Sequence, residues 1–211
     1  MELHFYPGQH LLIVKDNGNI LGRFEAWGGP ASIGKDPRMR EEPTWPGLYY
    51  IDKAHAYRTS SWKLSQIKWG TKLRDLPRQD DVWYELPNRQ WGSVSNDFNI
   101  KRKDIVALYF RLYGFRRVPS TWVFNDFGPI AIRWFKDLNG NKVLDGNERL
   151  SGQMFHTTPN NEAQDARGLP VTLVPSHGCI HIKPSARSHL FRLGAFEPKT
   201  PFLIHRYNER F

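Results

Sequence analysis

Short apolar segments, broken by glycine, proline, asparagine and charged residues, run through the chain and favour β-strands over long helices. Residues 10–15 and 20–27 are predicted as two strands, and Asn17-Gly18 between them is a strong signal for a two-residue hairpin turn. Residues 47–52 predict another strand. Because strands and helices do not alternate regularly, the pattern predicts a mostly β or α+β fold.

The remaining elements follow from hydrophobic periodicity and from residues that end helices. Ile105, Leu108 and Leu112 recur at helical spacing, so residues 104–113 predict a helix that ends before Gly114. Pro184-Ser185 begins a second predicted helix, which ends near residue 193. A loop is predicted for residues 28–46. Further strands are predicted at residues 122–125, 130–136, 153–157, 171–174, 179–182 and 202–206.

Cys179 is the only cysteine, and one thiol cannot form an internal disulfide. The fold must therefore rest on packing, for which 39% hydrophobic residues, with eight Trp among them, supply large apolar side chains. A chain of 211 residues suits one sizeable core, and we expect a single domain over residues 1–211.

The formal net charge of +9 favours anionic partners. No recognition motif for nucleic acid accompanies that charge, so we predict no nucleic-acid partner. No segment is long and apolar enough to predict a membrane span. The N-terminus has no basic segment, and the apolar run Leu11-Leu12-Ile13-Val14 is too short for the core of a signal peptide, so no cleavable leader is predicted.

The segment at residues 175–182, Pro-Ser-His-Gly-Cys-Ile-His-Ile, most strongly indicates chemistry. An imidazolium lowers the pKa of a neighbouring thiol, and the thiolate is the attacking species, so Cys179 beside His177 predicts a nucleophile. Gly178 permits a sharp backbone turn, and its N–H and that of Cys179 are expected to be free to line an oxyanion site.

A base for the thiol must come from a second strand. His156 is the best candidate, because it ends a short apolar strand and is followed by hydroxyl residues, Thr157 first among them.

These residues resemble the L,D-transpeptidase catalytic domain family, whose pattern is a His, a gap, and then Ser or Thr followed by His-Gly-Cys. Here nineteen residues separate His156 from Ser176-His177-Gly178-Cys179. Residues 44–51 resemble the proline-glycine strand of the family, and the hairpin at residues 10–27 resembles its opening strands. The resemblance covers nearly the whole chain and implies a β-sandwich or barrel with a few short helices.

The resemblance also implies a reaction that needs no cofactor. Cys179 attacks the carbonyl after the L-centre of diaminopimelate in a peptidoglycan stem peptide and expels the terminal D-alanine, with His156 as general base. His177 and the Ser176 hydroxyl shape the site, which Gly178 and Thr157 support. An amine acceptor gives a 3-3 crosslink, water gives carboxypeptidase activity, and a free D-amino acid gives exchange; the sequence leaves these open.

Two features depart from the family pattern. The gap after His156 is slightly longer than usual, which a loop insertion at residues 160–170 explains at little entropic cost. His181 stands where Arg or Asn is usual, and a histidine lacks the bidentate fork with which Arg holds a carboxylate. We therefore predict that His181 is a substrate-binding residue, and that this departure affects binding of the substrate carboxylate more than catalysis.

A zinc site is the rival interpretation of the same segment. On a strand, His177, Cys179 and His181 point to one face, and one Cys with two His is a known catalytic zinc set. A zinc hydrolase therefore stays open at this point.

Residues 137–148 match the ligand spacing of a calcium-binding loop, except that Lys142 stands where the motif has glycine. A polar turn between strands has the same composition, so both interpretations stay open. The candidate calcium ligands are Asp137, Asn139, Asn141, the backbone carbonyl of Val143, Asp145 and Glu148.

The sequence leaves two biological roles open. An enzyme of this kind acts outside the cytoplasm, in the periplasm or cell wall, and without a leader it is expected to leave the cell through a contact-dependent secretion system. It would then be an antibacterial effector, with an immunity protein as a partner. The alternative is a non-catalytic wall-binding protein that uses its charge of +9 to hold anionic polymer.

Overall fold

The structure is a computed structural model that describes residues 1–35 and 41–211. The strands, in chain order, are β1 (Glu2–Tyr6), β2 (Leu11–Asp16), β3 (Asn19–Trp27), β4 (Gly47–His55), β5 (Leu73–Leu76), β6 (Asp81–Glu85), β7 (Trp91–Ser93), β8 (Ala131–Phe135), β9 (Leu150–His156), β10 (Ile180–Ile182) and β11 (Pro201–Ile204). The α-helices are α1 (Val94–Phe98), α2 (Arg102–Tyr113), α3 (Pro159–Ala166) and α4 (Pro184–Arg192).

Backbone contacts group the chain into two compact units. Unit 1 comprises Met1–His55, Ala131–Thr157 and Thr172–Phe211, and unit 2 comprises Ala56–Ile130 and Thr158–Val171. This grouping does not test whether the chain folds as one domain, which stays a prediction.

Unit 1 is a closed barrel in which the strands follow the order β1-β11-β4-β8-β9-β10-β3-β2. The predicted hairpin forms the antiparallel neighbours β2 and β3 of this barrel, with Asn17 and Gly18 in left-handed conformations at the turn. Most neighbours are antiparallel, but two pairs are parallel, β9 with β10 and β1 with β11. The barrel confirms the mostly β fold with few helices.

Aromatic side chains fill the barrel. Trp134, Phe155 and Phe202 are completely buried, and their ring centroids lie 4.8–5.2 Å apart in edge-on and tilted pairs. Such pairs contribute roughly 0.5–1.5 kcal/mol each beyond the burial of their area. This packing supplies the stability that a chain without a disulfide needs.

Unit 2 combines the antiparallel sheet β5-β6-β7 with α1, α2 and α3. Helix α2 confirms the predicted helix: Ile105 and Leu112 are buried, and Gly114 ends it in a left-handed conformation with its N–H bonded to the Phe110 carbonyl. A cluster of apolar side chains around Trp122 forms the core of this unit.

Three predicted elements are wrong. Residues 122–125 are not a strand. Trp122 is instead completely buried in the core of unit 2, where its indole N–H donates a hydrogen bond to the Leu64 carbonyl. Residues 171–174 are irregular. The proposed loop insertion at 160–170 contains most of α3, which Thr158 caps by accepting a hydrogen bond from the Asn161 backbone N–H.

The predicted loop at residues 28–46 contains neither helix nor strand where it is described, and residues 36–40 of it lie outside the described residues. In the described part of the chain, no helix has both the length and the apolar character needed to cross a membrane.

Candidate active site

The pairing of β9 with β10 brings the predicted nucleophile and base together on one face of the barrel wall. Ile180 lies opposite Phe155 and His181 opposite His156, so Cys179 lies one pairing step before, next to Met154. Phe155 and Ile180 are fully buried in the barrel, so the alternating residues Cys179 and His156 belong to the other face.

Two contacts support this placement. The rings of His156 and His181 meet edge to face, with centroids 4.7 Å apart, and the thiol of Cys179 takes a hydrogen bond from the Met154 backbone. Cys179 and His156 are therefore diagonal neighbours on adjacent parallel strands, two residues apart in the register.

A hydrogen bond fixes the orientation of His156. Its Nδ1 lies 2.8 Å from the carbonyl oxygen of Thr157, which can only accept, so Nδ1 carries the proton and Nε2 carries the lone pair. The Thr157 hydroxyl in turn accepts a hydrogen bond from Arg187 at 3.3 Å. Thr157, predicted to support the site, thus holds the tautomer that a general base needs.

The imidazole of His156 is neutral at pH 7. His156 is only 5% exposed, and burial lowers the pKa of its imidazole to about 3, with nearby His181 acting in the same direction. Burial is also the main cause that lowers the pKa of His181.

The thiol of Cys179 is also neutral, which corrects the thiolate predicted from the sequence. Burial raises the pKa of Cys179 to about 11, although the Met154 hydrogen bond and the positive charge of Arg133 act in the opposite direction. Burial also lowers the pKa of His156, so this imidazole is not a cation that would stabilise a thiolate. The free site therefore holds a thiol and a neutral base.

Ser176 stabilises the turn before β10 through two hydrogen bonds of its hydroxyl. Its hydroxyl donates to the Cys179 carbonyl and accepts the Gly178 N–H at 3.0 Å. The Gly178 N–H is therefore already engaged, and the expectation that it is free to line an oxyanion site is corrected. Ser176 is 4% exposed, which fits a structural part in shaping this turn.

Gly178 lies where no other residue fits without strain. Its φ of +122° is one that L side chains rarely adopt, and an added Cβ would lie 2.5 Å from Nε2 of Gln153. Gln153 has little freedom to retreat, because that amide donates to the Pro43 carbonyl and accepts from the Trp45 N–H.

Replacing Gly178 by alanine is therefore expected to lower the free energy of unfolding by roughly 2–4 kcal/mol, from backbone strain together with the clash. Urea unfolding measures the change. Gly152→Ala in β9 is the matched control, since its Cβ meets nothing within 4 Å and its change should stay within about 0.5 kcal/mol. Equal effects of the two substitutions would contradict this account of Gly178.

Several supporting residues carry no sequence signal that would reveal them. The Thr44 hydroxyl donates to the Gly178 carbonyl at 2.9 Å and accepts the Gly29 N–H at 3.0 Å. The Gly28 carbonyl accepts the Ser176 N–H. Gly28 and Gly29 approach the His-Gly-Cys turn closely in space, which explains why glycine is present at both positions. No spacing in the sequence indicates this approach.

The other two histidines of the motif lie at different depths. His177 is exposed, and a positive charge on it would act to lower the pKa of His181. His181 is 8% exposed, and its Nδ1 donates to the Val174 carbonyl at 2.9 Å, which holds the chain before the motif against β10. The predicted part of His181 in substrate binding stays a prediction.

No group of three or more His, Cys, Asp or Glu side chains arranged to hold a metal ion occurs among residues 1–35 and 41–211. The zinc interpretation of His177, Cys179 and His181 therefore has no geometric support. Calcium also uses amide and backbone oxygens, so the loop at residues 137–148 has to be considered by its own geometry.

In that loop, acidic side chains face inward. Asp137 accepts the backbone N–H groups of Asn139, Gly140 and Lys142, and Asp145 accepts both side-chain amides of Asn139 and Asn141. Glu148 closes the loop by accepting from Leu138 and Asp145.

The family model of the YkuD L,D-transpeptidase catalytic domain matches residues 5–194, a span that includes all of unit 2, most of unit 1, and both Cys179 and His156. The chain belongs to this family. No curated protein matches the sequence significantly.

Three solved structures are similar to the chain at low identity. The L,D-transpeptidase (residues 123–326) from Xylanimonas cellulosilytica DSM 15894 is 9% identical, with a TM-score of 0.41 over 96% of this chain and 59% of that one. The L,D-transpeptidase from Mycobacterium smegmatis is 12% identical, with a TM-score of 0.39 over 96% and 57%. Mycobacterium tuberculosis L,D-transpeptidase 1 is 12% identical, with a TM-score of 0.35 over 96% and 60%. The chain thus spans about three fifths of these proteins.

Proposed function

We propose that this chain is a cysteine acyltransferase that acts on peptidoglycan tetrapeptide stems, with Cys179 as nucleophile and His156 as general base. One observation carries the proposal: the Thr157 carbonyl accepts from Nδ1–H of His156, which leaves Nε2 as the basic nitrogen, and His156 lies on the same face of the β9–β10 pair as Cys179. Family membership supports the substrate class.

The proposed step starts from two neutral groups. Nε2 of His156 takes the thiol proton as Sγ attacks the carbonyl after the L-centre of diaminopimelate, and the amide bond to the terminal D-alanine breaks. The imidazolium returns the proton to the departing amine, which leaves as D-alanine, and a thioester remains on Cys179. The low pKa of His156 makes it a strong proton donor to the leaving group but a weak base for the thiol, so the thiol proton moves as Sγ attacks and not before.

The oxyanion of the tetrahedral intermediate needs donors other than Gly178. We assign this part to the Cys179 N–H, and the Ser176 hydroxyl holds the turn that aims it. His177, exposed at the rim of the turn, contacts the incoming stem.

Purified muropeptides with tetrapeptide stems test the proposal and identify the acceptor. Mass analysis distinguishes a 3-3 crosslinked dimer, a tripeptide and an exchanged terminal residue. Any of the three, formed with loss of D-alanine, supports the proposal; unchanged tetrapeptide in the presence of stems, water and D-amino acids would contradict it. Delivery as an antibacterial effector into a periplasm, with an immunity protein, stays a prediction.

We also propose that the loop at residues 137–148 binds calcium. Lys142 has a φ of +59°, so it adopts the left-handed conformation for which glycine is usual at this position, and its ammonium lies 5.7 Å from the Tyr50 ring centroid rather than in the loop. A rotation of the Asn139 and Asn141 amides presents their oxygens to a cation beside Asp145.

Calorimetric titration with calcium is expected to show one site with a Kd between about 10⁻⁵ and 10⁻³ M, and Asp145→Asn should weaken it at least about tenfold. Glu197→Gln, an exposed carboxylate outside the loop, is the control and should leave the Kd unchanged. No heat from the wild type, or equal loss in both variants, would contradict the site.

A further inference from the structure

Unit 2 contains a cavity that the proposed reaction does not use. Its volume is about 530 Å³, within the range of roughly 300–1,000 Å³ that is typical of small-molecule sites. Its walls come from Arg58, from the turn around residues 66–72, and from the end of β6 with the turn that follows it. All of these residues belong to unit 2.

The lining is strongly cationic. Arg58, Lys68, Lys72 and Arg89 face a single carboxylate, Glu85. Glu85 pairs with Lys72 at 3.6 Å. Within the described residues, no carboxylate forms a salt bridge with Arg58, Lys68 or Arg89, so three of the four cations that line the cavity have no ion-pair partner.

Backbone hydrogen bonds fix the positions from which these cations extend. The Lys68 carbonyl accepts the backbone N–H of Thr71 at 3.2 Å and its hydroxyl at 2.8 Å. The Lys72 carbonyl accepts the Glu85 N–H at 3.0 Å. Arg89 closes a turn onto the Leu86 carbonyl at 2.9 Å with a φ of +63°, a conformation that costs free energy for any residue except glycine.

Like charges held around a concave surface repel one another, and a bound anion relieves that repulsion. Arginine forks and lysine ammoniums are the groups that bind phosphate and carboxylate oxygens. The wall formed by Tyr84 is uncharged, because burial and the hydrogen bond from its hydroxyl to Asp97, at 3.0 Å, raise the pKa of Tyr84 to about 12.

We propose that this cavity binds a ligand that carries two or more oxyanion groups, phosphate or carboxylate, spaced to meet Arg58, Lys68 and Arg89. The number of cations and the volume both exceed what a single phosphate or carboxylate needs. The cations of this cavity account for part of the net charge of +9. The proposed site is independent of the thiol chemistry.

Calorimetry at low ionic strength tests the proposal with two probes: tripolyphosphate and a tri-glutamate peptide. The informative variant is Arg58→Gln/Lys68→Gln/Arg89→Asn, in which asparagine tolerates the left-handed turn. The control is Arg78→Gln/Lys103→Gln/Arg117→Gln, which removes the same charge from exposed residues of unit 2 outside the cavity.

Wild type and control are expected to bind at least one probe, more weakly as salt rises, and the cavity variant to bind it roughly ten- to a hundredfold less tightly. Tighter binding of tripolyphosphate indicates a phosphate-bearing ligand, and tighter binding of the peptide a carboxylate-bearing one. Lys68→Gln alone, whose backbone contacts are retained, shows a smaller loss in the same direction and guards against misfolding of the triple variant.

Two results would overturn the proposal: no binding of either probe by the wild type, or equal weakening in the cavity and control variants. The same titration on Cys179→Ala separates this site from the proposed reaction, since the substitution should leave probe binding unchanged. Failure of the cavity and failure of the acyltransferase are therefore seen in different measurements.

Discussion

Cys179→Ala is expected to abolish the release of D-alanine from tetrapeptide stems, with a loss of about 10⁴-fold or more, because no other thiol is present to form the acyl-enzyme. The measurement is the rate of D-alanine release from muropeptides under single-turnover conditions. Alanine lacks only the sulfur atom of cysteine, so the unfolding midpoint should change little.

Ser60→Ala, an exposed hydroxyl residue in unit 2, serves as the matched control and should keep the wild-type rate. If Cys179→Ala retained the rate or the biological effect of the protein, the chemistry would have to lie elsewhere. The non-catalytic wall-binding alternative would then be favoured.

His156→Gln is expected to lower the rate at pH 7 by roughly 10²–10⁴-fold, because the thiol loses the base that takes its proton. The pH dependence makes the prediction sharper. In the wild type, neither group changes charge between the pKa of His156, about 3, and that of Cys179, about 11, so the rate should be flat from about pH 5 to about pH 9.

In His156→Gln, attack has to come from thiolate that is already present, which is about one part in 10⁴ at pH 7 for a thiol of this pKa. The rate should therefore rise about tenfold for each pH unit until the thiol ionises. His189→Gln, an exposed histidine in α4, is the control and should keep the flat profile. A wild-type profile with a limb near neutral pH would indicate a preformed ion pair and contradict the neutral site.

The local signals in the sequence predicted the parts of the fold that local physics determines. The Asn17-Gly18 turn and the Gly114 helix end have conformations that few residues adopt at low cost, so both were identifiable. Residues 122–125 have the composition of a strand, yet Trp122 lies in the core of unit 2, and only tertiary packing decides between the two.

In the active site, too, local signals predicted some features and tertiary packing decided the others. The His-Gly-Cys segment and His156 are short patterns whose chemistry follows from the residue types alone. The pKa values could not be predicted from the sequence, because the burial that keeps Cys179 and His156 neutral comes from the packing around them. Arg133, whose charge acts on the thiol, lies on β8 and has no spacing that relates it to Cys179.

The most direct test of the account is the covalent state of residue 179 during turnover. Wild-type protein is mixed with a tetrapeptide muropeptide, quenched in acid within the first turnover, digested and mapped by mass spectrometry. The account predicts a stem peptide lacking its terminal D-alanine on the fragment that contains Cys179, removable by hydroxylamine as a thioester is, and absent from Cys179→Ala. Product formation without that adduct, or an adduct on another residue, would contradict it.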